Sequence, residues 1–308
     1  MMPTRRILMT SYSFCNDFQY IPVKFLENSM NQSISFETLE KLETEGFMTF
    51  TLNHQAEQVI SSVYDAGCRF FRTSSNRKMR HRLPNDFGYR PIGVEYSQSP
   101  ERPDPIESFT ASARTQSETP KSWSDDGKRL SQRMLQAIDV LEPITDAIIT
   151  ELAFRVGGSK LRNKLRGGLH RWSCLQLNYS RPQIVPSGLI HETHEDGHLL
   201  TIACSTAPGL ERQVEEEQFV PISTSTHEFV VMPGDIAYLL SGGRIRPLYH
   251  RVQTDINCEE RMALLFFADV SPELCDPWVI NEVNRDVNIG DRVLNNSQRF
   301  GVQAFKAE

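Results

Sequence analysis

Six short β-prone runs crowd the stretch from residue 170 to residue 270: "WSCLQLNYS", "HLLTIACST", "EFVVM", "DIAYLLS", "LYHRVQT" and "RMALLFFADV". Polar breaks separate them, and no apolar run in the chain reaches the length of a membrane-spanning helix. Strands this short bury their apolar side chains only by packing sheet on sheet or by closing into a barrel, so an antiparallel sandwich or barrel is predicted.

The chain ahead of this region reads differently. "GFMTFTL" (46–52) is one more β-prone run, and "QAEQVISSVYDAGCRFF" (55–71) spaces Val59, Ile60, Val63, Tyr64 and Phe71 helically. A second helix is predicted over 128–156, where Leu130, Met134, Ile138, Leu141, Ile148 and Leu152 form one stripe; Gly157-Gly158 stops it, and Pro143 should kink or split it. Between them, 96–128 is dense in Pro, Ser and charge, which predicts an irregular segment over or beside a barrel mouth. The tail, 272–308, reads as helical and then polar. The expected class is mainly β with flanking helices (α+β). Residues 1–127 form a helical or mixed front region and 128–308 the barrel with its long helix and tail, together one compact unit.

Composition narrows the function classes. With 39% hydrophobic and 23% charged residues over 308 positions, the chain suits a globular protein. A net charge of −6 carries no footprint for nucleic acid or an anionic membrane, so a small-molecule partner is expected. The opening "MMPTRRILMTSYSF" lacks the apolar core of a secretory signal. Cysteines 15, 68, 174, 204, 258 and 275 form no close pair, which points to reduced thiols in a cytoplasmic protein, monomeric or weakly homo-oligomeric.

One stretch is rich in metal-ligand side chains. "HETHEDGHLL" (191–200) holds three histidines and three acids. On a strand, positions i and i+2 share a side, so His194 and Asp196 converge, while His191 and His198 read as polar loop or strand-end residues, with lining the mouth of a site as the second reading. His250 in "LYHRVQT" is a candidate third ligand, although an imidazole in an apolar strand is also a common core residue. Two histidines and a carboxylate suit the facial triad of non-haem Fe(II) oxygenases, and zinc accepts the same set. Arg261 opens a very apolar strand. Either it sits in water at the strand mouth or it clamps a carboxylate through two hydrogen bonds.

The ordered set resembles the Fe(II)/2-oxoglutarate-dependent dioxygenases of the isopenicillin N synthase-like group, whose pattern is HxD, His-Arg-Val, then Arg-x-Ser. Here it reads "HEDGHLLTI" (194–202), "PGDIAYLLSGGRIRPLYHRV" (233–252) and "RMA" (261–263), while "LEKLETEGFMTFTLNH" (39–54), "CRFFRTSSNRKMR" (68–80) and "GYRPIGVE" (88–95) continue the likeness. It covers roughly residues 34 to 270. It implies a double-stranded β-helix (jelly roll) holding Fe(II) on His194, Asp196 and His250. It also implies 2-oxoglutarate, with its distal carboxylate on Arg261 and Asn178 of "LQLNYSRP" nearby, and O2 as the second cosubstrate. The reaction implied is oxidation of an unactivated C–H bond of a small metabolite of secondary metabolism, by hydroxylation, desaturation or ring closure, with release of succinate and CO2.

Two positions depart from the pattern. Ser180 stands where a tyrosine is usual and Ala263 where the serine of Arg-x-Ser is usual. Each lost neutral hydrogen bond is worth about 0.5–1.5 kcal/mol. That leaves an isopenicillin N synthase-like oxidase that does not use 2-oxoglutarate as the alternative, beside a non-catalytic jelly-roll binding protein and a zinc hydrolase. Arg90, Arg171, Arg244 and Arg246 are candidate binders for an acidic substrate. Glu195, between the two ligands, should point away from the metal.

Overall fold

The computed structural model describes residues 36–83, 86–113, 119–157, 172–181, 185, 188–225, 228–255 and 257–301. Two antiparallel sheets form its centre. The larger has the order β1 (Met48–Thr51), β9 (Glu228–Pro233), β6 (Leu200–Ser205), β11 (Arg261–Ala268), β4 (Cys174–Ser180), β3 (Ile106–Ala111), β2 (Gly88–Arg90). The smaller runs β5 (Leu189–His194), β10 (His250–Gln253), β7 (Leu210–Glu215), β8 (Gln218–Pro221).

Strand β4 shows how the layers are ordered. Every residue of "CLQLNYS" is buried, so both faces are covered. Leu175, Leu177 and Tyr179 enter the main hydrophobic core together with Leu264 and Phe266 of β11. Cys174, Gln176 and Asn178 alternate with them and line a pocket that the smaller sheet lines from its other side. A fully buried strand with a polar face marks a cavity on that face.

Among the described residues, four α-helices precede β4: α1 (Phe36–Thr44), α2 (His54–Phe71), the short α3 (Ser75–Lys78) and the long α4 (Asp125–Gly157). Of these, α2 and α4 cover the outer face of the large sheet. α2 is capped by Asn53, whose side chain accepts from Ala56 N at 2.9 Å. At Gly67 an added Cβ would lie 2.5 Å from Leu177 Cδ2, so glycine permits the close approach of α2 to the sheet. Phe71 stacks on Tyr179 with ring centroids 4.9 Å apart. The long helix is present as expected, and Pro143 does not split it. A single interior proline removes one i→i−4 bond. Here Leu141, Ile144, Thr145 and Ile148 are fully buried on both sides of it, and Thr145 Oγ1 donates to Leu141 O at 2.7 Å.

Three other expectations are corrected. The 96–128 stretch is not irregular throughout: β3 joins the large sheet beside β4, and its "IESFTA" is a buried strand set between prolines. "DIAYLLS" forms a helix, α5 (Asp235–Leu240), not a strand. Its buried residues Ile236, Ala237, Leu239 and Leu240 follow helical spacing behind Gly234. The tail holds 3-10 turns and a helix α6 (Ile289–Asn295) that begins well into it. Among the described residues, no helix is long and apolar enough to cross a membrane.

Candidate active site

The smaller sheet carries two of the predicted ligands. His194 is the last residue of β5 and pairs in register with His250, the first of β10, so the ladder sets the two imidazoles side by side with ring centroids 4.4 Å apart. Asp196 lies just past the end of β5, not on the strand as expected, and the turn brings it back to the pair. Asp196 Oδ1 is 3.6 Å from His194 Nε2 and 4.0 Å from His250 Nε2. Both separations exceed a direct hydrogen bond of about 3.2 Å and leave room for an ion between the donors. These three form the one group among the described residues whose ligand atoms, all within 4.8 Å of one another, could hold a metal.

Backbone carbonyls fix the imidazoles. His194 Nδ1 is 2.7 Å from Glu192 O, and His250 Nδ1 is 3.0 Å from Leu248 O. A carbonyl only accepts, so Nδ1 carries the proton and Nε2 turns its lone pair to the centre. Protonation states are divided: burial opposes charge on His194, yet Asp196 raises it above its ordinary value. Burial and the His194 charge push His250 down to about 4. Burial disfavours the Asp196 carboxylate, but His250 and His194 outweigh it and hold the group well below the usual range.

Arg261 is the second feature. It is 5% exposed, it lines the same pocket, and its Nε donates to Ala207 O and Pro208 O, each at 3.2 Å. Burial lowers it to about 10, so it stays charged at neutral pH. No described carboxylate pairs with it. A buried guanidinium aimed into a pocket without an anion fits a site for a carboxylate ligand, and a His2Asp set fits Fe(II).

A polar network holds Asn178. Gln176 Nε2 donates to Asn178 Oδ1 at 2.7 Å and to Glu95 Oε2 at 2.9 Å, while Gln176 Oε1 accepts from Arg90 and from Thr110 Oγ1. Arg90 Nε donates in turn to Glu95 Oε1 at 2.9 Å. With its oxygen engaged by Gln176, Asn178 keeps its NH2 for the pocket.

Residues 171–270 match the 2OG-Fe(II) oxygenase superfamily. Those residues form a 2OG-Fe(II) oxygenase domain. This oxygenase is 25% identical over 269 residues to the 2-oxoglutarate-dependent dioxygenase frbH of Dothideomycetidae sp. (strain 11243), covering 82% of each chain. Its fold is similar to that of a full-length Neurospora crassa protein in complex with alpha-KG and thymine (TM-score 0.69, 18% identity, 89% of this chain and 93% of that one). It is also similar to JOX2 in complex with 2OG, Fe and JA (TM-score 0.63, 19% identity, 77% and 71%). These matches name the superfamily, not the isopenicillin N synthase-like group within it. The double-stranded β-helix, Fe(II) and 2-oxoglutarate belong to the oxygenase accordingly.

Other sequence candidates fall elsewhere. Arg90 lines the pocket but is neutralised by Glu95. Arg244 is exposed and donates to Val156 O at 3.1 Å; Arg246 is exposed and neither lines the pocket. Arg171 lies outside the described residues. Glu195 turns from the centre to Arg299 at 3.0 Å. His191 and His198 both line the pocket, the second of their two expected readings, each held by an acid: His191 by Asp104 (2.9 Å) and His198 by Asp269 (2.6 Å). Gln176, Glu95 and Phe300 were not anticipated. The alternation of polar residues in "CLQLNYS" is the one signal that points to Gln176.

Proposed function

We propose that His194, Asp196 and His250 hold Fe(II) in this oxygenase, and that Arg261 holds the distal carboxylate of 2-oxoglutarate with Asn178 donating beside it. The observation that carries the assignment is the burial of Arg261, without a described carboxylate partner, in the pocket that contains the His2Asp cluster. Bound Fe(II) supplies O2 activation coupled to conversion of 2-oxoglutarate to succinate and CO2, and thereby oxidation of a C–H bond of the substrate.

The chain's own residues bind and orient. Glu192 O and Leu248 O keep the ligand nitrogens of His194 and His250 unprotonated and aimed. Arg261 and Asn178 fix one cosubstrate orientation from neighbouring strands. The apolar walls of the pocket exclude water from the reacting centre.

The substrate is a small metabolite, oxidised by hydroxylation, desaturation or ring closure. The thymine and JA named with the two similar structures support that size class. The negative net charge and the free thiols of Cys68, Cys174, Cys204, Cys258 and Cys275 support a cytoplasmic enzyme, monomeric or weakly homo-oligomeric, with no nucleic-acid partner.

Iron loading tests the assignment. Anaerobically loaded protein should bind about one Fe(II) per chain, with one ion to the one triad. His194→Ala and His250→Ala should stay folded by circular dichroism and lose both the iron and succinate release. Full activity with zinc alone, or retained iron in both variants, would overturn it.

A further inference from the structure

The C-terminal turn reaches the metal cluster from outside the barrel. Residues Asn296–Phe300 form a 3-10 turn that ends at Gly301 in the left-handed region, φ 78°. Phe300 lines the pocket and sets its ring edge-on to His194, centroids 6.1 Å apart at 67°. The phenyl is only half-buried, and part of what it leaves uncovered faces the cavity.

The turn is seated from two sides. On one, Tyr96 N donates to Phe300 O at 3.4 Å, and an added Cβ at Gly301 would lie 2.4 Å from Val94 O and 2.9 Å from the Tyr96 ring. On the other, Arg299 joins Glu195 at 3.0 Å and Asp235 at 3.3 Å, while Asn296 packs on Gly197, where an added Cβ would lie 1.9 Å from its Oδ1. Steric fit on Val94, Tyr96 and Gly197 holds the turn more firmly than exposed ion pairs would.

Nearby polar side chains are committed to one another. His191 is held by Asp104, His198 by Asp269, and Arg90 by Glu95. The apolar part of the pocket lining includes Phe300, Phe267, Val252 and Met232, and of these Phe300 is the one whose ring meets His194.

We propose that Phe300 is a specificity-determining residue, forming the pocket wall beside His194 and selecting substrates that present a neutral alkyl or aryl group to the metal centre. The proposal rests on the reading of His194 as an iron ligand.

The test uses N-phenyl-1-naphthylamine, a neutral aromatic fluorophore, titrated under argon into the full-length protein carrying Fe(II) and 2-oxoglutarate. Phe300→Ala should weaken probe binding about three- to tenfold, as loss of one aromatic contact does. Gly301→Ala, which lifts the turn off Val94 and Tyr96 while keeping the phenyl side chain and all three ligand residues, should weaken it similarly. Fe(II) and 2-oxoglutarate affinities should stay within about twofold of wild type in both, because neither ligand reaches the wall by direct contact. Wild-type probe affinity in both variants, no probe binding by the wild type, or an equal loss of Fe(II) affinity would each overturn the proposal. Failure of the wild type to take up Fe(II) is a separate outcome that counts against the ligand assignment instead.

Discussion

Asn178 on β4 stands directly across the ladder from Ala263 on β11, two residues along from the Ser180–Arg261 pair. The inward positions of this row also include Ser108 and Ser205, each paired in register with one of the two. Ala263 is thus an apolar gap in a polar row beside Arg261. Ala263→Ser should fill it with a hydroxyl within reach of a ligand held by Arg261. The expected result is a 2-oxoglutarate KM lowered about twofold, the lower end of one neutral hydrogen bond. A raised KM would show that the cosubstrate does not lie along this row.

Arg261→Ala should remove the buried cation. Hydrogen bonds to charged groups contribute about 1.5–3 kcal/mol, which translates to a KM for 2-oxoglutarate raised roughly ten- to hundredfold. Iron content should be unchanged, because Arg261 lies outside the ligand cluster. Measured succinate release at saturating and limiting 2-oxoglutarate separates the two effects. An unchanged KM would leave the buried guanidinium without the anion assigned to it.

Iron removal should lower thermal stability. Asp196 is buried, and without an ion its desolvation is offset chiefly by two imidazoles. An ion present at a hundredfold its Kd stabilises the fold by about 2.7 kcal/mol. Chelation should therefore lower Tm by a few degrees in the wild type and leave His250→Ala unmoved. An equal response in both proteins would place the stabilising ion elsewhere.

The grouping of His194, Asp196 and His250 was legible because its members are local or joined by one strand pairing: His194 and Asp196 are two residues apart, and His250 joins them through β10. β4, β6, β9 and β11 were legible as apolar runs. The half-exposed "LERQVE" and "QFVP" were not, because β7 and β8 lack a continuous apolar face. "DIAYLLS" misled because a short apolar run has too few residues to separate the two periods. The Arg90–Glu95–Gln176–Asn178 network was invisible, since partners 81 and 86 residues apart meet only through the β2–β3–β4 register. Phe300 was hidden for the same reason.

That network makes the sharpest claim about cosubstrate binding, because it sets which way an amide faces. Gln176 donates to Asn178 Oδ1, so the Asn178 NH2 is left for the pocket. Gln176→Leu should release the amide and strand buried polar groups of Glu95 and Arg90, each costing about 1–3 kcal/mol of stability. Its effect on 2-oxoglutarate KM should be modest, since Asn178 can still present its NH2. Gln176→Glu should act differently. The carboxylate still accepts from Arg90 and Thr110, but it meets Glu95 as a like charge and toward Asn178 it can only accept, so it draws the NH2 away from the pocket and turns Oδ1 toward the cosubstrate. The expected outcome is a larger rise in 2-oxoglutarate KM for Gln176→Glu than for Gln176→Leu, despite the closer match in shape, with iron content equal in both. Steady-state KM values measured alongside Tm decide it. The reverse order would mean that Asn178 does not donate to the cosubstrate and that the network serves stability alone.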